Sequence, residues 1–183
     1  MTDLKTGILL WSQAAAWSEM VDAAQRVDRL GYDHLWTWDH LYAIFGDPYQ
    51  DFFEGWSVLA GWAPQTERTR LGLLVGANTF RNPGLVAKTA TTLDHISGGR
   101  AILGIGGAWF ELEHDAHGID FGSGFGQRLD WLDESVGAMR TLLDEVRFVR
   151  GTASVLWHTQ VLASDYGWGD GFRDLLQLTS RAA

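Results

Sequence analysis

What most constrains this chain is an alternation of two kinds of apolar pattern. Short apolar runs of five or six residues alternate with longer stretches whose apolar residues recur every three or four positions. TGILLW (Thr6 to Trp11), HLWTW (His34 to Trp38), LGLLV (Leu71 to Val75) and AILGI (Ala101 to Ile105) read as strands covered on both faces. Trp17 to Leu30 carries Met20, Ala24, Val27 and Leu30 at helical spacing, with Gly31 placed to cap it. Phe52 to Ala63 repeats the pattern with Phe52, Trp56, Leu59 and Ala63. Asn82-Pro83 reads as an N-cap and a first helical residue, followed by Val86, Ala90, Leu93 and Ile96 and closed by Gly98-Gly99. Phe125 to Glu145, with Leu129, Leu132, Val136, Met139 and Leu143, has the clearest period of all. Strands alternating with helices give a parallel α/β sheet with right-handed crossovers. A doubly wound sheet and a (β/α) barrel both satisfy this pattern.

Either architecture brings the carboxyl ends of its strands to one edge, where ligands bind. The residues leaving the four strands are Ser12-Gln13, Asp39-His40, Ala77-Asn78-Thr79 and Gly106-Gly107-Ala108. The run LWTWDHLY, Leu35 to Tyr42, therefore delivers a carboxylate and an imidazole to the ligand edge. The plainer reading makes Asp39 a helix cap and His40 incidental. Polar tips on the neighbouring strands favour the functional reading.

Several chemistries are excluded. The net charge of −9 argues against a nucleic-acid partner and against anionic membranes. No apolar stretch approaches the roughly 18 residues of a membrane span. The apolar run near the N-terminus is too short for a secretory signal. A cytoplasmic location is the resulting expectation. Without Cys there is no disulfide, thiolate metal site or Cys nucleophile. GIGGAW, Gly104 to Trp109, has Trp109 where a dinucleotide fingerprint needs its third glycine. GSGFG, Gly122 to Gly126, lacks the Lys of a P-loop and reads as a connection. His114 and His117 have the spacing of a shared metal face, but no third ligand is evident. A solvated loop over Glu113 to His117, with no metal, is the expectation there. The ten Trp residues point to a Trp-rich core or to a cleft for flat ligands.

Together LWTWDHL, then LGLLVGANTFRNPGLVAKTATTLDHISGGRAILGIGGAWFELEHDAHGI, then GQRLDWLDE resemble the luciferase-like monooxygenase superfamily. The likeness is strongest to its oxidoreductases that use the deazaflavin coenzyme F420, and it runs from about Lys5 to Glu145. It implies a (β/α) barrel, of which this chain holds about four βα units. It implies hydride transfer or monooxygenation on a small-molecule substrate, with F420 or, as the alternative, FMN. By this resemblance His40 is the catalytic acid or stabiliser, and Asp39, Ala77, Gly107 and Ala108 contact the cofactor. A non-prolyl cis peptide supporting the ring is expected at Leu74–Val75. Some sugar-phosphate dehydrogenases of the family place a catalytic Glu where this chain has Trp109.

The remainder reads differently. Residues 1–145 are expected to form the N-terminal half of the barrel, and residues 146–183 a divergent tail left by a frameshift or truncation. A half barrel exposes two strand edges and an apolar face, which invites a homodimer. A non-catalytic barrel fragment is the third functional reading. Another reading frame of the encoding DNA after Glu145 that restores a family-like sequence would support a frameshift.

Overall fold

The computed structural model describes residues 4–144 and 154–157. Its strands are β1 (Gly7–Leu9), β2 (His34–Thr37), β3 (Arg70–Leu73), β4 (Gly76–Ala77), β5 (Ala101–Gly106) and β6 (Ser154–Trp157). Its helices are α1 (Trp17–Leu30), α2 (Gly55–Trp62), α3 (Pro83–Ser97), α4 (Glu111–His117) and α5 (Phe125–Asp144). Every strand pairing is parallel: β1 with β2, β2 with β3, β3 and β4 with β5, and β5 with β6. Five strand positions result, because β3 and β4 are two halves of one interrupted strand. β3 pairs with the start of β5 (Leu71 opposite Ala101) and β4 with its end (Gly76 opposite Ile105). The peptide bond between them, Leu74–Val75, is cis, at the place expected. The architecture is a partial parallel β/α barrel, which decides between the two open readings.

The helices cover one face of the sheet. Met20, Ala24 and Val27 of α1 are buried, as are Val86, Ala90 and Leu93 of α3 and Leu132, Val136 and Met139 of α5. They close on Leu35, Leu71, Leu73, Leu103 and Ile105 of the strands. Each fully buried aliphatic side chain contributes roughly 1.5–3 kcal/mol. All six residues of β5 are buried, so it lies centrally, with neighbours on both sides. Gly104 is required there, because a Cβ would sit 2.1 Å from the Leu73 carbonyl oxygen. Ile96 departs from the expected apolar face of α3 and is exposed.

Two expected boundaries shift. Phe52 does not open the second helix; it pairs in an isolated bridge with Gln13. The helix starts at Gly55 because Glu54 caps it, accepting from the Trp56 and Ser57 N–H groups. The stretch expected to be a solvated loop is α4, whose Glu113 and His114 are buried. The expected tail contributes β6, which continues the sheet beyond Glu145; the rest of residues 146–183 lie outside the described residues.

At the amino ends of the strands two polar clasps replace apolar packing. The Asp28 carboxylate accepts from the N–H groups of Glu67 (3.1 Å), Arg68 (2.9 Å) and Thr69 (2.7 Å) and from the Thr69 hydroxyl (2.8 Å). Arg100 donates to the carbonyls of Ala63, Thr66, Thr69 and Ser97. It thereby ties the ends of α2 and α3 to the loop before β3. Burial pushes the Asp28 carboxyl up, but its hydrogen bonds outweigh that and hold it at about 2. A depressed carboxyl contributes stability above its ordinary value near 3.8, and loses it as pH falls through about 2. Asp28→Asn turns an amide NH2 toward these donors and should cost about 2 kcal/mol at pH 7. Urea denaturation should show that gap closing below about pH 3.

Candidate active site

The carboxyl ends of β2, β4 and β5 converge on one pocket. It is lined by Asp39, His40, Val75, Gly76, Ala77, Ala108, Trp109 and Glu113. Of the residues expected at the site, Asp39, His40, Val75, Ala77 and Ala108 line it. Leu74 contributes its cis peptide to the interrupted strand, and Gly107 is buried beside Leu129 of α5. Gly76 and Glu113 were not expected.

His40 leaves β2 with its side chain only 13% exposed. Its Nδ1 lies 3.0 Å and 3.2 Å from the two oxygens of Glu113, which is 2% exposed. The same carboxylate accepts from the Leu41 N–H at 2.8 Å. An ionised carboxylate only accepts, so the Nδ1 facing it carries the hydrogen. In the neutral ring Nε2 then carries the lone pair, and it has no partner among the described residues. Trp38 and Trp109 hold the ring edge-on, with centroids 5.6 Å and 5.5 Å away. Ala108 adopts a left-handed backbone (φ 62°) as the chain turns from β5 into Trp109. The buried Trp109 indole N–H has no partner among the described residues.

Asp39 plays a different part. Its carboxylate receives both ends of the Arg81 guanidinium, at 2.6 Å and 2.9 Å, and the Ala77 N–H at 3.0 Å. Arg81 also bonds Glu54 at 2.7 Å. Burial is the main influence on Asp39 and pushes its carboxyl up to about 6, against the pull of Arg81 and Ala77. Arg81 is itself held above its usual range, because the two carboxylates outweigh its burial. This triad fixes β4 to β2 and so sets the pocket's width.

His114 and His117, which share a helical spacing, bond the protein's own groups. His114 Nδ1 bonds the Phe110 carbonyl and Nε2 the Thr79 hydroxyl, while His117 Nδ1 bonds the Glu113 carbonyl. Among the described residues no group of three metal-binding side chains occurs. No helix among them is long and apolar enough to cross a membrane.

The sequence family follows from these strand ends. The family model described as luciferase-like monooxygenase matches residues 4–162. This chain belongs to that family. The match passes Glu145, where the resemblance was expected to stop, and takes in β6. An F420-dependent glucose-6-phosphate dehydrogenase from Intrasporangium calvum is 36% identical over 143 residues, 70% of this chain and 39% of that enzyme. A 4-hydroxyprotoasukamycin monooxygenase from Streptomyces nodosus is 32% identical over 115 residues, 62% of this chain and 28% of that enzyme. This luciferase-like chain thus spans under half the length of these relatives. Among solved structures, a monooxygenase from Streptomyces bottropensis superposes with a TM-score of 0.64 at 28% identity, covering 78% of this chain and 44% of that one. An F420-dependent secondary alcohol dehydrogenase superposes at 0.69 and 23% identity, over 78% and 43% of the two chains, and shows the shared fold. An oxidoreductase or monooxygenase built on the luciferase-like fold is the class these likenesses support.

Proposed function

We propose that this chain forms the ring-binding half of a coenzyme F420-dependent oxidoreductase, with His40 as its proton carrier. One observation carries the reading: Glu113 fixes Nδ1 of His40 and leaves Nε2 unpartnered at the pocket formed by the strand carboxyl ends. The residues present fit such a ring. The backbone of Val75, Gly76 and Ala77 lines the pocket and offers close approach. A bound deazaflavin would supply or accept the hydride. His40 then handles the proton: Nε2 takes it from a hydroxyl being oxidised, or returns it to a carbonyl oxygen being reduced. Glu113 orients the ring and keeps one tautomer, and the Asp39–Arg81–Glu54 triad holds β4 in place beside it. Several relatives carry F420 dependence in their names, which favours the deazaflavin.

FMN is the competing occupant, because monooxygenases stand among the same relatives. Fluorescence titration of the purified chain with F420 and with FMN separates them. Saturable F420 binding, with FMN weaker by about tenfold or more, is the expected result. Tight binding of FMN alone would make the protein a flavin monooxygenase. Binding of neither by a folded sample would make it a non-catalytic barrel fragment.

A further inference from the structure

We propose that His114 is a positioning residue for this site: its bonds to Thr79 and Phe110 set the rotation of α4 that presents Glu113 to His40. This deepens the proton-carrier reading above and rests on it for its catalytic meaning. Of the seven residues of α4 only Glu113 and His114 are buried, and Leu112, its largest apolar residue, is 43% exposed. No apolar side chain of α4 therefore reaches the core. A helix this short is marginal by itself, so its orientation comes from the groups it binds.

Adjacent residues on a helix point about 100° apart, and here they reach two different strand ends. Glu113 turns to the end of β2, where it meets His40 Nδ1 at 3.0 Å and accepts from the Leu41 N–H at 2.8 Å. His114 turns to the loop after β4, where its Nε2 lies 2.7 Å from the Thr79 hydroxyl. The other nitrogen of the same ring, Nδ1, lies 2.8 Å from the Phe110 carbonyl. Thr79 is itself anchored. The Asn78 N–H before it bonds the Gly106 carbonyl of β5 at 2.9 Å, and the Phe80 N–H after it bonds the Ala77 carbonyl at 3.2 Å. Two neighbouring side chains thus hold α4 across the two strand ends that supply most of the pocket wall.

Packing does not call for an imidazole here. Phe80 and Phe121 flank the ring at 5.0 Å and 4.6 Å between centroids, a setting that a phenyl ring would fill as well. The polar chain does call for one. A carbonyl only accepts, so Nδ1 carries the hydrogen, and Nε2 of the neutral ring accepts from the Thr79 hydroxyl. Each buried nitrogen has a partner, which offsets the cost of burying it. These bonds are directional, and a rotation of α4 that breaks them also draws Glu113 off His40. A displacement of about 1 Å at such a site lowers a rate about 10²-fold.

The test uses the full chain and reads His40 itself, by long-range 15N–1H spectra and by exchange of its Nδ1 hydrogen with solvent. Neither readout needs turnover. The wild-type ring should carry its hydrogen on Nδ1. His114→Phe keeps a ring in place and removes both bonds. It should give a mixture of His40 tautomers and hydrogen exchange at least about tenfold faster. Thr79→Val removes one bond isosterically and should move both readings the same way, whereas Thr79→Ser should return them to wild type. In a Glu113→Ala background, adding His114→Phe should change nothing further at His40, because no carboxylate remains to be displaced. A wild-type tautomer and exchange rate in folded His114→Phe and Thr79→Val, with only the melting temperature lowered, would overturn the proposal. So would a further change at His40 in the Glu113→Ala background. Near-UV circular dichroism shows which variants are folded, and Thr79→Val decides if His114→Phe does not fold. Titration of the same samples with F420 separates this inference from the function it rests on. Deazaflavin binding with an unresponsive His40 removes the positioning role alone. A responsive His40 without deazaflavin binding supports the positioning role and removes the cofactor reading.

Discussion

Glu113→Gln should lower the turnover number for hydride transfer by about 10²–10⁴-fold while leaving the fold intact. One N–H group, that of Leu41, decides the outcome. The Leu41 N–H bonds one oxygen of Glu113 at 2.8 Å, and the other oxygen faces His40 Nδ1 at 3.0 Å. In the glutamine variant Leu41 keeps the amide oxygen, which also lies 3.2 Å from Nδ1, and the amide NH2 takes the closer place at 3.0 Å. A donor there forces the hydrogen of neutral His40 onto Nε2, which can no longer accept a proton. It also opposes the doubly protonated ring, so both directions of the reaction suffer. KM should move less than the turnover number, because the carboxylate is 2% exposed and is taken up by His40 and the Leu41 N–H. Long-range 15N–1H spectra of the imidazole read the tautomer directly and need no turnover. An Nδ1–H ring in the wild type and an Nε2–H ring in the variant is the expected pair. The same tautomer in both would remove Glu113 as the positioning residue.

Arg81→Met should cost about 3–5 kcal/mol, the usual consequence of leaving a buried carboxylate without its partner. For a chain of this size that lowers the melting temperature by roughly 8–15 °C. Asp39 is almost fully buried and loses both guanidinium bonds, while Glu54 keeps its bonds to the start of α2. The pH dependence has a definite sign. With its folded value raised to about 6 from 3.8, Asp39 contributes stability below its unfolded value and loses that contribution as pH rises through about 6. Without Arg81 its carboxyl moves further up. The variant's deficit should therefore be larger at pH 8 than at pH 5. Asp39→Asn combined with Arg81→Met should recover more than half of the loss, since no buried charge remains. Chemical denaturation at the two pH values tests both statements; a deficit independent of pH would mean that water or another cation reaches Asp39.

Four strand-and-helix units, their order and the position of Asp39 and His40 at a strand tip were legible in the sequence, because apolar period and glycine punctuation carry that information. Glu113 was not. It lies 73 residues from His40, and no local pattern joins them. Its helix, α4, escaped notice because the side chains it buries are Glu113 and His114, polar groups that a search for apolar periodicity passes over. The available signal was three carboxylates and two histidines within the seven residues Glu111–His117, shortly after a glycine-rich strand end. That cluster was expected to be a solvated loop and instead supplies a positioning carboxylate and a buried, fully bonded imidazole. Phe52 misled for the opposite reason: it keeps helical spacing with Trp56 but pairs with Gln13, and the cap three residues before Ser57 sets the true start. β6 has too little apolar contrast with its surroundings to stand out, and the partner strand it joins cannot be read from its own residues.

The clasps made by Asp28 and Arg100 sit at the opposite end of the strands from His40. They join helix ends to strand starts by backbone groups, which any sequence supplies. The aromatic side chains at the carboxyl ends contribute nothing to that joinery. A lineage built on this half barrel can therefore exchange rings at Trp11, Phe45 or Phe110 without first acquiring a compensating change below. Innovation at one mouth of the barrel is decoupled from survival of the fold at the other.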